Sequence, residues 1–164
     1  LPNQEKIPTL EEVLSLVCGK VPILVELKDQ NNFLNNNTGR MEDAVAQLLK
    51  QYDGPVAVMS FNPNSVKSFG LKLPNVPRGL VSEGFNQKDW PNVNKSNLAR
   101  LRNLSAVTAI AASFVSHEYS DLSSRYLAKI PKAVKIFSWT IRNTAELHLA
   151  LKRSHNVTFE GFLP

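Results

Sequence analysis

Along this chain, short apolar runs alternate with longer stretches in which apolar residues recur every three or four positions. The short runs read as strands buried on both faces, and the longer ones as amphipathic helices. Pro8 to Val17 opens as a helix: Thr9 caps it, Glu11 and Glu12 suit the positive end of its dipole, and Gly19 closes it. Val21 to Leu27 follows as a strand, with Pro22 tolerated only near its start. Met41 to Tyr52 is helical in spacing through Met41, Val45, Leu48 and Leu49, and Asp53-Gly54-Pro55 breaks it. The same reading gives strands at Val56–Phe61, Arg78–Ser82, Val107–Ser113, Val134–Trp139 and Val157–Phe159. Helices are expected at Asn64–Phe69, Asn97–Leu104, Ser120–Ile130 and Asn143–Ser154. Asn31 to Gly39, rich in asparagine, is expected to be a mobile polar loop.

Apolar strands separated by helices predict a parallel sheet in an α/β fold, organised as one domain over residues 1–164. Two architectures accommodate six βα units: an open doubly wound sheet, or part of an eight-stranded barrel. No Gly-x-Gly-x-x-Gly follows the first strand and no Gly-x-x-x-x-Gly-Lys occurs, which argues against a nucleotide-binding fold. Periodicity does not separate the two architectures further.

Composition narrows the partners more than the fold. The 164 residues are 43% hydrophobic and 20% charged, as in an ordinary globular domain. The net charge is +5, but the basic residues are scattered (Lys20, Arg40, Lys67, Arg78, Arg100, Arg102, Lys132, Arg153), so no nucleic-acid partner is expected. The single cysteine, Cys18, excludes an internal disulfide and reads as a small packing residue. No stretch is long enough to span a bilayer and no signal peptide is visible, which predicts a cytoplasmic protein.

The segment Val25-Glu26-Leu27-Lys28 carries the chemistry. A carboxylate and an ammonium two apart at the carboxy end of a strand face the same way, and that end is where barrel enzymes build their sites. Glu26 offers oxygen to a divalent cation, and Lys28 a positive charge to a phosphoryl oxygen. A simple strand-end salt bridge is the competing reading. At the end of the fifth strand, Trp139 can wall a pocket and Arg142 can bind an anionic phosphate. The three histidines, His117, His148 and His155, have no neighbour at metal-ligand or triad spacing and read as structural, so no general acid–base pair is evident.

The order of these segments resembles the glycerophosphodiester phosphodiesterase family, of the phospholipase-C-like phosphodiesterase superfamily. The resemblance rests on Pro8-Thr9-Leu10-Glu11-Glu12, on the strand ending Glu26-Leu27-Lys28, and on Met59-Ser60-Phe61-Asn62-Pro63. It continues through Pro77-Arg78-Gly79-Leu80 and Ser138-Trp139-Thr140-Ile141. It implies a (β/α)8 TIM barrel, here incomplete, with about six of its eight βα units present. It implies a metal-dependent hydrolase of lipid and glycerol metabolism that cleaves glycerophosphodiesters to glycerol 3-phosphate and an alcohol. Glu26 then ligates Ca²⁺ or Mg²⁺, Lys28 stabilises the transition state, and Phe61 and Trp139 form apolar walls for the glycerol moiety.

The sequence also departs from that family. The histidine-arginine-glycine, glutamate-x-aspartate and histidine-aspartate motifs, which supply the acid–base histidines and the other metal carboxylates, are absent. The resemblance places them before Leu1, so the chain is expected to be the carboxy-terminal part of the domain and inactive alone. The last strand ends Phe159-Glu160-Gly161-Phe162 in place of threonine-aspartate, leaving Glu160 to pair with a neighbouring basic residue. The incomplete barrel is expected to expose two sheet edges that invite self-association. A catalytically dead truncated paralogue, serving as a binding or interaction module, and an unrelated doubly wound domain remain as alternatives.

Overall fold

The computed structural model describes residues 6–164. Six strands form one parallel sheet: β1 Ile23–Glu26, β2 Val56–Ser60, β3 Arg78–Ser82, β4 Phe114–Glu118, β5 Lys135–Ile141 and β6 Asn156–Phe159. Their spatial order is their chain order. A doubly wound sheet reverses its order at a switch point. This one never does, which is the arrangement of a barrel. β1 and β6 end the sheet and pair with no further strand among the described residues. The sheet curls, because Leu24 and Ala57 of the first two strands line a cavity of about 330 Å³ together with Phe137, Asn156 and Thr158 of the last two. The architecture is thus the larger part of a (β/α)8 barrel.

The helices are α1 Leu10–Val17, α2 Arg40–Lys50, α3 Pro63–Lys72, α4 Lys95–Arg102, α5 Ala106–Ala109 and α6 Thr144–Ala150. Their starts follow local chemistry. Thr9 accepts from the Glu12 backbone N–H at 3.2 Å while Glu12 accepts from the Thr9 N–H at 2.7 Å, a complete capping box. Asn62 caps α3 ahead of Pro63, which stands in the first turn where its missing N–H costs nothing. The helices cover the outer face of the sheet. Leu27, Val45, Leu49, Val58 and Phe69 form one buried cluster, and Val66, Leu80, Val107, Val115 and Ile141 belong to a second. These strand residues mark the outward row, so their alternates point into the barrel.

Four local expectations are corrected. The fourth strand is Phe114–Glu118, and Val107 begins no strand but lies in the short α5. The apolar run there is alanine-rich, whereas Phe114-Val115 brings the aromatic and β-branched residues that strands favour. Ser120–Ile130 forms two single 3₁₀ turns, Tyr119–Asp121 and Leu127–Lys129, in place of one helix. The loop Asn31–Gly39 is not a loose polar segment. Asp29 accepts from the backbone N–H groups of Phe33 and Leu34 at 3.1 and 3.2 Å, and Leu34 is buried. Cys18, expected to pack, is exposed in the left-handed conformation that ends α1.

Candidate active site

Every strand runs the same way, so their carboxy ends form one rim. Ile23, Val25 and Leu27 pack outward against helix residues, and Glu26 therefore projects inward at the end of β1. Lys28 donates to Glu26 Oε1 at 2.8 Å. The carboxyl end of the pair is largely covered, with Glu26 23% exposed, while Lys28 is 75% exposed and reaches over the rim. The end of β1 is held by its neighbour: Ser60 Oγ donates to Leu27 O at 2.6 Å. Asn62 Nδ2 donates to Asp29 Oδ1 at 2.7 Å and to Asn35 O at 2.8 Å, tying the loop after β1 to the start of α3.

Phe61 leaves β2 at the same rim and meets Trp139 of β5 edge-on, ring centroids 5.7 Å apart. The Trp139 indole is fixed by donating to Ser116 O at 2.9 Å. Phe61 also packs on Trp90 at 5.4 Å and on Phe85 at 6.2 Å, so the aromatic wall is larger than the two rings read from sequence. Arg142 lies just beyond β5, where Glu160 holds its guanidinium at 2.9 Å, with both side chains exposed. Glu160 thus pairs with a neighbouring base, as expected.

Sequence reasoning missed Glu83, Trp90 and Glu118. Glu83 follows β3, and its carboxylate accepts from Trp90 Nε1 at 2.6 Å. Burial pushes the Glu83 carboxyl above its ordinary range; the Trp90 N–H opposes this, while the negative charges of Glu118 and Asp89 add to it. Glu118 ends β4 in register with Trp139. With the fourth strand expected to end at Ser113, Glu118 fell in a loop and its inward direction could not be read.

The histidines lie elsewhere. His117 is buried on the helix side of β4, its Nδ1 2.7 Å from Ser82 Oγ and its Nε2 3.1 Å from Asp121 Oδ2. This chain of groups has the connectivity of a catalytic triad, but Ser82 and His117 are sealed from solvent. Burial holds the His117 pKa down, against the pull of Asp121. His155 accepts from the Ile136 N–H at 3.1 Å, near the opposite end of the sheet, and His148 lies in α6. Glu26 is the type of oxygen donor that Ca²⁺ and Mg²⁺ take. Among the described residues, however, no three acidic, histidine or cysteine side chains are grouped to hold a metal. These residues alone do not complete a metal site.

A curled parallel sheet in chain order, with charged and aromatic side chains at its carboxy rim, defines the (β/α)8-barrel class. Within that class, the chain belongs to the glycerophosphoryl diester phosphodiesterase family, whose model matches residues 1–157. It is 29% identical over 142 residues to Bacillus subtilis (strain 168) YhdW, a protein assigned as a glycerophosphodiester phosphodiesterase, covering 85% of this chain and 52% of YhdW. The chain thus spans about half the length of that curated relative. Among solved structures, it resembles an Oleispira antarctica phosphodiesterase in complex with sn-glycerol-3-phosphate (TM-score 0.66, 20% identity, 93% of this chain and 57% of that one). It also resembles a glycerophosphodiester phosphodiesterase from Parabacteroides distasonis (TM-score 0.67, 18% identity, 97% and 62%). At these identities the structural likeness establishes the fold. No helix among the described residues is long and apolar enough to cross a membrane.

Proposed function

We propose that the protein carrying this chain hydrolyses glycerophosphodiesters to glycerol 3-phosphate and an alcohol, with the rim of β1, β2 and β5 as its substrate-binding half. The observation that carries this reading is the Glu26–Lys28 pair at the end of β1, on the same rim where Phe61 and Trp139 meet. Glu26 would supply one oxygen ligand to a divalent cation, Ca²⁺ or Mg²⁺, which when bound would polarise a phosphoryl oxygen. Lys28, exposed at its tip, swings from Glu26 to the phosphoryl oxygens and stabilises the charge that develops on them. Phe61 and Trp139 together form one apolar wall against the carbon skeleton of the glycerol moiety and exclude water from that side. Arg142 offers a second cation to the phosphate once Glu160 releases it.

The 164 residues bring no histidine to this rim, so the isolated chain binds without turning over. That same observation favours a second reading, a non-enzymatic binding module. Release of glycerol 3-phosphate from glycerophosphocholine by the full-length protein, measured with a coupled dehydrogenase, decides between them. Metal-dependent turnover that falls in Glu26→Gln supports the enzyme, and none at any metal concentration supports the module. The unpaired edges of β1 and β6 also predict self-association of the chain alone. Sedimentation that stays monomeric as concentration rises would remove that prediction.

A further inference from the structure

α3 packs along α2, but toward α4 and α5 it leaves a cavity of about 490 Å³ on the helix side of the barrel. The local sequence explains the space. α4 ends at Arg102, Leu104 turns through a positive φ, and α5 is only the four residues Ala106–Ala109. Ala106 and Ala109 face the cavity with side chains too short to fill it. The walls are held in place by the fold itself. Arg78 Nε donates to Ile110 O at 3.0 Å and Asn62 Nδ2 donates to Asn35 O at 2.8 Å, and both Ile110 and Asn35 line the space. The cavity is therefore formed in advance, and it has the size of a small-molecule site.

Two cations border it, Lys67 of α3 and Arg100 of α4, and no acidic residue does. Neither forms an ion pair among the described residues, whereas Lys28, Lys72 and Arg142 all do. Two like charges on one concave wall focus their field on the space between them and attract an anion to it. Asn36, Asn64 and Asn97 add amides and Ser105 a hydroxyl. The remaining surface, from Pro63, Ala106, Ala109 and Ile110, is apolar. The lining thus matches three features together: a phosphate-like charge, a hydrogen-bonding edge and a flat apolar face. A sugar phosphate would lay its hydroxyls on the apolar floor without partners, and an anionic acyl chain would leave the amides unpaired.

We infer that this cavity binds a nucleoside monophosphate. The phosphate sits between Lys67, a point charge, and Arg100, a planar fork of donors. The base lies on the proline and alanine floor, with its polar edges toward the asparagine amides. Side-chain cations here take the part that a glycine-rich loop plays in the common nucleotide folds. The site opens on the helix side, away from the carboxy rim, and the hydrolytic reading uses none of its residues. The inference therefore stands apart from that reading.

The test is isothermal titration of adenosine monophosphate into the full-length protein. Saturable binding is expected, weakened at least about tenfold in Lys67→Ala/Arg100→Ala and in Ala109→Leu, and unchanged in Lys28→Ala. Ala109 is exposed, so leucine there reaches into the cavity without entering the core. Thermal melting checks that each variant folds as wild type. Adenosine, which lacks the charge, and inorganic phosphate, which lacks the base, should each bind at least about tenfold more weakly. No binding of the nucleotide, equal binding of adenosine or of phosphate, binding that survives in either cavity variant, or binding lost in Lys28→Ala overturns the inference. Hydrolysis of glycerophosphocholine is followed in the same preparations. Its absence from the wild-type protein would reject the enzymatic reading and leave a confirmed nucleotide site standing.

Discussion

His117 Nδ1 lies 2.7 Å from Ser82 Oγ in the layer between sheet and helices, where neither side chain reaches solvent. The contact ties β3 to β4, and Asp121 on the other side ties β4 to the 3₁₀ turn that follows. This is a fastening, and it predicts how the fold responds to acid. Burial lowers the folded-state pKa of His117 from its ordinary 6.5. Between the lowered value and 6.5 the unfolded chain therefore binds a proton that the native chain does not, and stability falls as pH drops below about 6.5. His117→Gln should flatten this part of the acid limb in thermal melts. A slope identical to wild type would show that His117 is not its source. His117→Ala should cost about 2–3 kcal/mol by urea denaturation, because it leaves Ser82 Oγ buried without a partner.

Asp29 organises the loop that follows β1 by accepting from Phe33, Leu34 and Asn62. Asp29→Ala should destabilise by about 2 kcal/mol, since Asn62 is buried and loses its carboxylate partner. Hydrogen exchange should quicken at the amides of Phe33 and Leu34 while the strands keep wild-type protection.

Gly79 faces Phe114 across the β3–β4 pair, and a Cβ at position 79 would clash with the edge of the Phe114 ring. That ring cannot retreat easily, because it is buried and stacked on Phe137. Gly79→Ala should cost about 1–3 kcal/mol. Phe114→Leu in the same chain should recover part of that loss, a coupling that a double-mutant cycle in urea measures.

At the rim, Lys28→Ala in the full-length protein should lower kcat about 100-fold with little change in KM, because its charge acts on the transition state more than on bound substrate. Phe61→Ala should act in the opposite proportion, raising KM through lost contact with the glycerol skeleton. Steady-state kinetics on glycerophosphocholine separates the two.

The Arg142–Glu160 pair is exposed at both ends, so Glu160→Gln should change stability by less than about 1 kcal/mol. If Arg142 serves the phosphate, the same substitution should tighten binding of glycerol 3-phosphate by freeing the guanidinium. Isothermal titration checks this in one experiment.

Much of the fold was legible because its signals are local. The cap at Thr9 and the apolar strands before Glu26 and Phe61 can be read without knowing what they touch. The fourth strand failed for the same reason. Val107–Ser113 is the more apolar run, whereas Phe114–Glu118 ends in Ser116, His117 and Glu118, and packing against β3 and β5 selects the second. The site divided likewise. Glu26 and Lys28 are two residues apart on one strand, and Phe61 and Trp139 stand at recognisable strand ends. Glu83 and Glu118 have no local pattern, since their nearness comes from the register of β3 on β4.

By itself, the sequence determined the alternation of strand and helix, that Glu26 and Lys28 leave β1 on the same side, and the family to which the ordered motifs belong. Only the tertiary structure decided that the strands lie in chain order, that Phe61 meets Trp139, and that Ser82, His117 and Asp121 join inside the wall. The division has one physical cause. Backbone periodicity and capping act over a few residues, whereas strand order and register are settled by which buried surfaces fit together, and that energy exists only once the chain has folded.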